Sequence, residues 1–147
     1  RRLLRTADAA RQETEAFAIC DTMNYVKPPV HTICLGQAMG TAAMILSAGA
    51  KGSRASLPHA TIVLNQPRTG MGRSQATDIQ IRAKEVLANK ASAIGILSKN
   101  TGQSVEKIAK DTDRMCYMTP HQAKEYGLID RVLESTKDLP VPLPALV

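Results

Sequence analysis

The chain has no tryptophan, one phenylalanine and three tyrosines, so aromatic residues make up only 3% of its 147 positions. A nucleic-acid surface that works by stacking bases needs more rings than this. The excess of 19 Lys+Arg over 13 Asp+Glu, a net charge of +6, does not reverse that exclusion. The basic residues are dispersed, and only Arg1 to Arg5 gathers them even weakly. Cysteine is scarce as well. Cys20, Cys34 and Cys116 are odd in number, have no C-x-x-C spacing and sit among apolar neighbours. That pattern argues against a disulfide framework and a zinc site, and reads as buried thiols in a reducing compartment. No apolar run approaches the ~20 residues that cross a bilayer, and Arg1-Arg2-Leu3-Leu4-Arg5 lacks the apolar core of a signal peptide. A soluble protein with no nucleic-acid and no membrane partner is expected.

What is present suits one α/β domain over 1–147. A composition of 44% hydrophobic and 22% charged residues is ordinary for that class, and this length buries roughly 70% of the unfolded surface without staples. Ala16, Ile19, Cys20, Met23 and Val26 recur at helical spacing and predict a helix over 15–27, stopped by Lys27-Pro28-Pro29. Val30 to Leu35 is short, apolar and β-branched, which predicts a buried parallel strand. Gly36-Gln37-Ala38-Met39-Gly40 reads as a turn into a tightly packed helix of small residues, closed by Gly49 and Gly52. Ala60 to Asn65 is a second strand, ended by Gln66-Pro67.

From Gln75 to Asn100 there is no proline and only Gly95, and apolar residues return every three to four positions. One helix of up to ~39 Å is predicted, long enough to project beyond the globule and require a partner surface. Its Ile79, Ala83, Val86, Leu87, Ile94 and Leu97 exceed a single stripe, so assembly contacts are expected there. Ser104 with Lys107 opens a short helix, and Asp111 to Met118 reads as an extended link. Thr119-Pro120-His121-Gln122 has the form of a capping box with proline at the first helical position, and Gly127 closes that helix. Leu128 to Leu133 is a last strand, and the proline-rich tail over about 138–147 is expected to be loose.

In sheets of this kind the sites lie beyond the carboxyl ends of the strands, which directs attention to Gly36–Thr41. Four stretches carry a resemblance: GQAMGTAAMILSAGAKGSRASLPHATIVLNQP, RSQATDIQIRAKEVL, TGQSVEKIAKDTDR and AKEYGLIDRVL. Over about Thr14 to Leu133 the chain resembles the ClpP family of self-compartmentalised serine proteases. The resemblance implies a ClpP/crotonase-type spiral head domain with a long protruding handle helix at about 75–100, set between stacked heptameric rings. It also implies where a catalytic triad should be. The nucleophile's position holds Gly40, the general base's position holds Asn65, and the orienting aspartate's position holds Met115. The stretch Ala9 to Gln12 departs from the glycine pair that helps form the oxyanion hole.

The chemistry of those residues can be judged without the family. Gly40 cannot attack a carbonyl, the Asn65 amide cannot take a proton near neutral pH, and Met115 cannot orient an imidazole. The most similar group is then ClpR, the non-catalytic ClpP paralogues of plastids and cyanobacteria. Such a subunit implies catalytic ClpP-type and other ClpR-type partners, an AAA+ unfoldase of the Clp/Hsp100 type, and no cofactor or metal. Its place would be the plastid stroma or, alternatively, the cyanobacterial cytoplasm. Asp113 and Arg114 are read as ion-pairing across the ring interface, with Gln75, Ile79, Ile94 and Leu97 as further assembly residues. The altered start suggests a processed form of something longer. A crotonase-like acyl-CoA hydratase or isomerase is the alternative. Thr41 with a displaced histidine, a reactive Cys116 and a phosphate-binding Gly70-Met71-Gly72 all rank below plain structural roles.

Overall fold

The computed structural model describes residues 13–67 and 75–134. Gly70-Met71-Gly72, the stretch Ala9 to Gln12, Arg1 to Arg5 and the tail over 138–147 lie outside them. Five helices and six strands follow in the order α1 (Glu13–Tyr25), β1 (Thr32–Cys34), β2 (Gln37–Met39), α2 (Thr41–Ser47), β3 (Arg54–Ser56), β4 (Thr61–Leu64), α3 (Ala76–Thr101), α4 (Val105–Thr112), β5 (Cys116–Met118), α5 (Pro120–Tyr126) and β6 (Arg131–Val132).

The strands form two three-stranded sheets, β1-β3-β6 and β2-β4-β5. Gly36, with φ +80°, lets the chain bend after β1 and enter the second sheet as β2. The next pass repeats the step, β3 lying in the first sheet and β4 in the second, with Thr32 paired to Arg54 and Gln37 to Thr61 in parallel. Each pass thus adds one strand to each sheet. This is a spiral, as expected, but it needs β2, β3 and β5, which the sequence pattern assigns to a turn, to no element and to a link. Asp111 and Thr112 also prove to be helical, in α4. The last strand shrinks from 128–133 to Arg131–Val132, and the first helix runs over Glu13–Tyr25 instead of 15–27.

The core forms around α2, whose residues Ala42 to Ser47 are all buried. Small side chains let it pack at once against α1, α3, β1, β2 and β4. Ile62, Leu64, Ile108, Leu128 and Ile129 complete the interior. The capping box forms as the sequence predicts: Thr119 Oγ1 accepts from Gln122 N–H at 3.4 Å, and Thr119 N–H donates to Gln122 Oε1 at 2.9 Å. Ser104 Oγ likewise accepts from Lys107 N–H at 3.3 Å to start α4.

An ion pair between buried Arg54 and half-buried Asp130 closes the head. The Arg54 guanidinium donates to Asp130 from Nη2 at 2.6 Å and from Nε at 2.9 Å, and from Nη1 to the carbonyls of Ser47 and Asn100. Gly52 N–H and Arg54 N–H also donate to Asp130 Oδ2. One side chain therefore ties the ends of α2 and α3 to β3 and to the turn before β6. Hydrogen bonds from Arg54 hold the Asp130 carboxyl below its ordinary range against the opposing effect of burial.

Helix α3 spans 26 residues, about 39 Å at 1.5 Å per residue. Its bounds fall one residue from the expected 75–100. Only Ile94 and Leu97 on it are buried, so its first four turns project from the head.

Candidate functional site

The second sheet brings the three expected positions to one of its ends. Gly40 follows the last residue of β2, Asn65 follows the last residue of β4, and Met115 precedes the first residue of β5. Strand β5 is antiparallel to β4, with Leu64 opposite Cys116. One further step along that register sets Asn65 opposite Met115. On the other side of β4, Met39 pairs with Val63, and Gly40 N–H donates to Val63 O at 2.9 Å. Residues far apart in sequence thus meet because β4 lies between β2 and β5.

Gly40 and Asn65 are in immediate proximity: a Cβ built on Gly40 would stand 2.7 Å from Asn65 Oδ1. Gly40 adopts φ 56°, ψ −111° directly before α2. A strand that turns sharply into a helix through a strained residue is the backbone form of a nucleophile elbow. The elbow is present and its side chain is not. Met115 is 38% exposed, and its Sδ accepts from Tyr117 O–H at 3.4 Å. Nothing at these positions can attack, deprotonate or balance charge.

No histidine makes up the loss. His31 and His59 precede the N-terminal ends of β1 and β4, His121 lies in the first turn of α5, and all three are exposed. Thr41 starts α2 beside the elbow with no histidine at that end of the sheet. Cys116 is half-buried, and burial, with Asp111 adding to it, pushes its thiol above the ordinary range. Burial and Asp21 raise Cys20 to about 11, and burial raises Cys34. These thiols are protonated at neutral pH and are poor nucleophiles. Among the described residues no group of three metal-ligating side chains converges, and no described helix is long and apolar enough to cross a membrane.

The assembly residues separate into two sets. Gln75 is exposed at the start of α3, and Ile79 is 45% exposed. Ile94 and Leu97, in contrast, are 8% and 5% exposed and belong to the head's own core. Side chains already covered by α3's own domain are not available to a partner, so these two are reassigned from assembly to folding. Asp113 is engaged within the chain: Oδ1 accepts from Gln66 Nε2 at 2.6 Å and from Lys90 Nζ at 3.1 Å. Arg114 is exposed. Sequence reasoning misses the Arg54–Asp130 pair, whose partners lie 76 positions apart, and the exposure of Leu35 and Leu57. These two leucines follow the paired strand ends Cys34 and Ser56.

Comparison with known proteins adds the family. The model of the Clp protease family matches residues 12–136. The chain is 74% identical over 140 residues to a putative ATP-dependent Clp protease proteolytic subunit-like protein of Synechococcus elongatus, covering 95% of this chain and 61% of that protein. It is 72% identical over 141 residues to a protein of the same description from Synechocystis, covering 96% and 62%. To ATP-dependent Clp protease proteolytic subunit 2 of Gloeobacter violaceus it is 51% identical over 134 residues, covering 91% and 61%. The chain therefore spans about three fifths of the length of the curated relatives it matches. Of the two families that the sequence leaves in competition, the match favours the protease family over the crotonase-like hydratases.

Proposed function

The chain belongs to the Clp protease family, and from that premise we propose that it is a non-catalytic, ClpR-type structural subunit of an ATP-dependent Clp protease core. It joins catalytic ClpP-type and other ClpR-type subunits in stacked heptameric rings, while peptide hydrolysis belongs to those partners and an AAA+ unfoldase supplies the substrate. One observation carries the reading. The elbow keeps its backbone, yet the three places where chemistry would occur hold Gly40, Asn65 and Met115 at one end of one sheet. A site in which nucleophile, base and orienting acid are all replaced retains no partial triad.

The projecting part of α3 supports the assembly role. Ile79, Ile81 and Leu87 are 45%, 67% and 65% exposed, and apolar side chains in such number on a free helix suit burial by a neighbouring subunit. Gln75 lies at the outer end of that surface and the Asp113–Arg114 pair at its base. The cyanobacterial sources of the three relatives support the cytoplasm of a cyanobacterium over the plastid stroma as its location.

The test is an active-site probe on the intact assembly. After treatment with a fluorophosphonate and peptide mapping, adducts are expected on partner serines and none on this chain. An adduct on Thr41 or Ser47 at yields comparable to the partners would overturn the reading. Gly40→Ser alone is expected to restore no peptidase activity, because Asn65 gives the new hydroxyl no base.

A further inference from the structure

The amide of Asn65 stands where a side chain on residue 40 would have to be. A Cβ on Gly40 would lie 2.7 Å from Asn65 Oδ1, 3.5 Å from its Cγ and 3.7 Å from its Nδ2. Non-bonded carbon and oxygen do not approach to the first of these distances, so one of the two residues would have to give way. Gly40 is pinned on both sides of its Cα. Its N–H donates to Val63 O at 2.9 Å, and its carbonyl accepts from Met44 N–H at 3.0 Å in the first turn of α2. Asn65 is held from the other side, where Nδ2 donates to Gln66 O at 3.1 Å. Its Oδ1 is buried and takes no hydrogen bond among the described residues.

We propose that Asn65 is a plug: its carboxamide fills the side-chain space of residue 40 and closes the elbow from within the chain. The proposal rests on the non-catalytic reading above and deepens it. A site that has merely lost its serine would regain the side chain's space once a hydroxymethyl group was put back. A plugged one would not, and the hydroxymethyl group introduced by Gly40→Ser would be displaced from the geometry an attack requires. Residue 40 is then restricted to glycine for two separable reasons. Its φ of +56° disfavours any Cβ whatever the surroundings. The filled space disfavours it only while Asn65 is there.

A double-mutant cycle separates them, since the φ cost is common to both backgrounds and cancels. The variants Gly40→Ala, Asn65→Ala and the double mutant are made in the full-length protein and their thermal unfolding is compared. Gly40→Ala is expected to lower Tm by at least about 5 °C more with Asn65 present than in the Asn65→Ala background, a shift of the size that a lost core contact gives in a small domain. If Gly40→Ala fails to fold while the double mutant folds, the plug is supported in the same sense. Equal losses in the two backgrounds, including failure of both to fold, overturn it, because the backbone conformation alone then dictates glycine. The wild-type protein is probed in parallel with the fluorophosphonate. An adduct there sinks the non-catalytic reading, whereas equal losses sink the plug and leave that reading standing.

Discussion

The two parts of α3, before Ile94 and from Ile94 onward, are built from the same kinds of residue and differ in burial. From Ile94 onward the helix is part of the head: Ile94 and Leu97 are in the core, and the Asn100 carbonyl accepts from Arg54 at 3.1 Å. Before Ile94 none of its residues is buried, although Ile79, Ile81 and Leu87 are as apolar as those that are. The apolar pattern of a helix therefore does not by itself tell which of its side chains the chain's own core covers. That depends on where the globule ends.

Substitutions on either side of that boundary should behave differently. The largest effect is expected from Ile94→Glu, which puts a carboxylate into the core with no partner. A loss of several kcal/mol is expected, visible as unfolding by circular dichroism at ambient temperature. If the mutant keeps its fold and fails only to assemble, the boundary has been drawn in the wrong place.

Asp130→Asn comes next. It leaves the buried Arg54 guanidinium without its counter-charge, and removing one partner of such a pair costs about 3–5 kcal/mol, measured by denaturant unfolding. The same pair predicts an acid limb. The folded-state pKa of Asp130 is depressed, so its contribution is full above the unfolded value near ~3.9 and is lost as pH falls through the lower folded value. Wild type should lose stability across that window, and the Asp130→Asn variant should lose less.

Ile79→Glu, on the projecting half, is expected to change subunit stability by less than about 0.5 kcal/mol. It should nevertheless reduce incorporation into double rings by native mass spectrometry. Normal incorporation would remove the projecting half from the assembly surface. Lys90→Ala, at the boundary itself, is expected to have a comparably small effect on stability. Its pair with Asp113 is solvent-accessible and contributes about 0–1 kcal/mol. A loss well above that range would mean that Asp113 anchors the helix rather than decorating it.

How far the sequence reveals these features depends on how local each signal is. The Thr119–Gln122 capping box and the run from Gln75 to Asn100 are contiguous, and both structures match the reading within a residue. Strands β2, β3 and β5 have three residues each, too few for a period-two pattern to rise above a turn. They are held by pairing with strands tens of residues away. Arg54 and Asp130 are invisible as partners for the same reason. The strand-end argument points to Gly36–Thr41 and so to Gly40, but Asn65 and Met115 are reached only through the family resemblance. Their meeting at one sheet end depends on β5 running antiparallel beside β4, which no local pattern announces. Ile94 and Ile79 read alike because the sequence does not say where the head stops.

The shortness of the strands has a consequence for how the chain can associate. The outer strands of the two sheets among the described residues are β1 and β6, and β2 and β5, none longer than three residues. An exposed edge of that length offers too few unpaired amides and carbonyls to recruit a strand from another molecule. The chain can therefore show apolar helix surface with little risk of polymerising through these sheet edges.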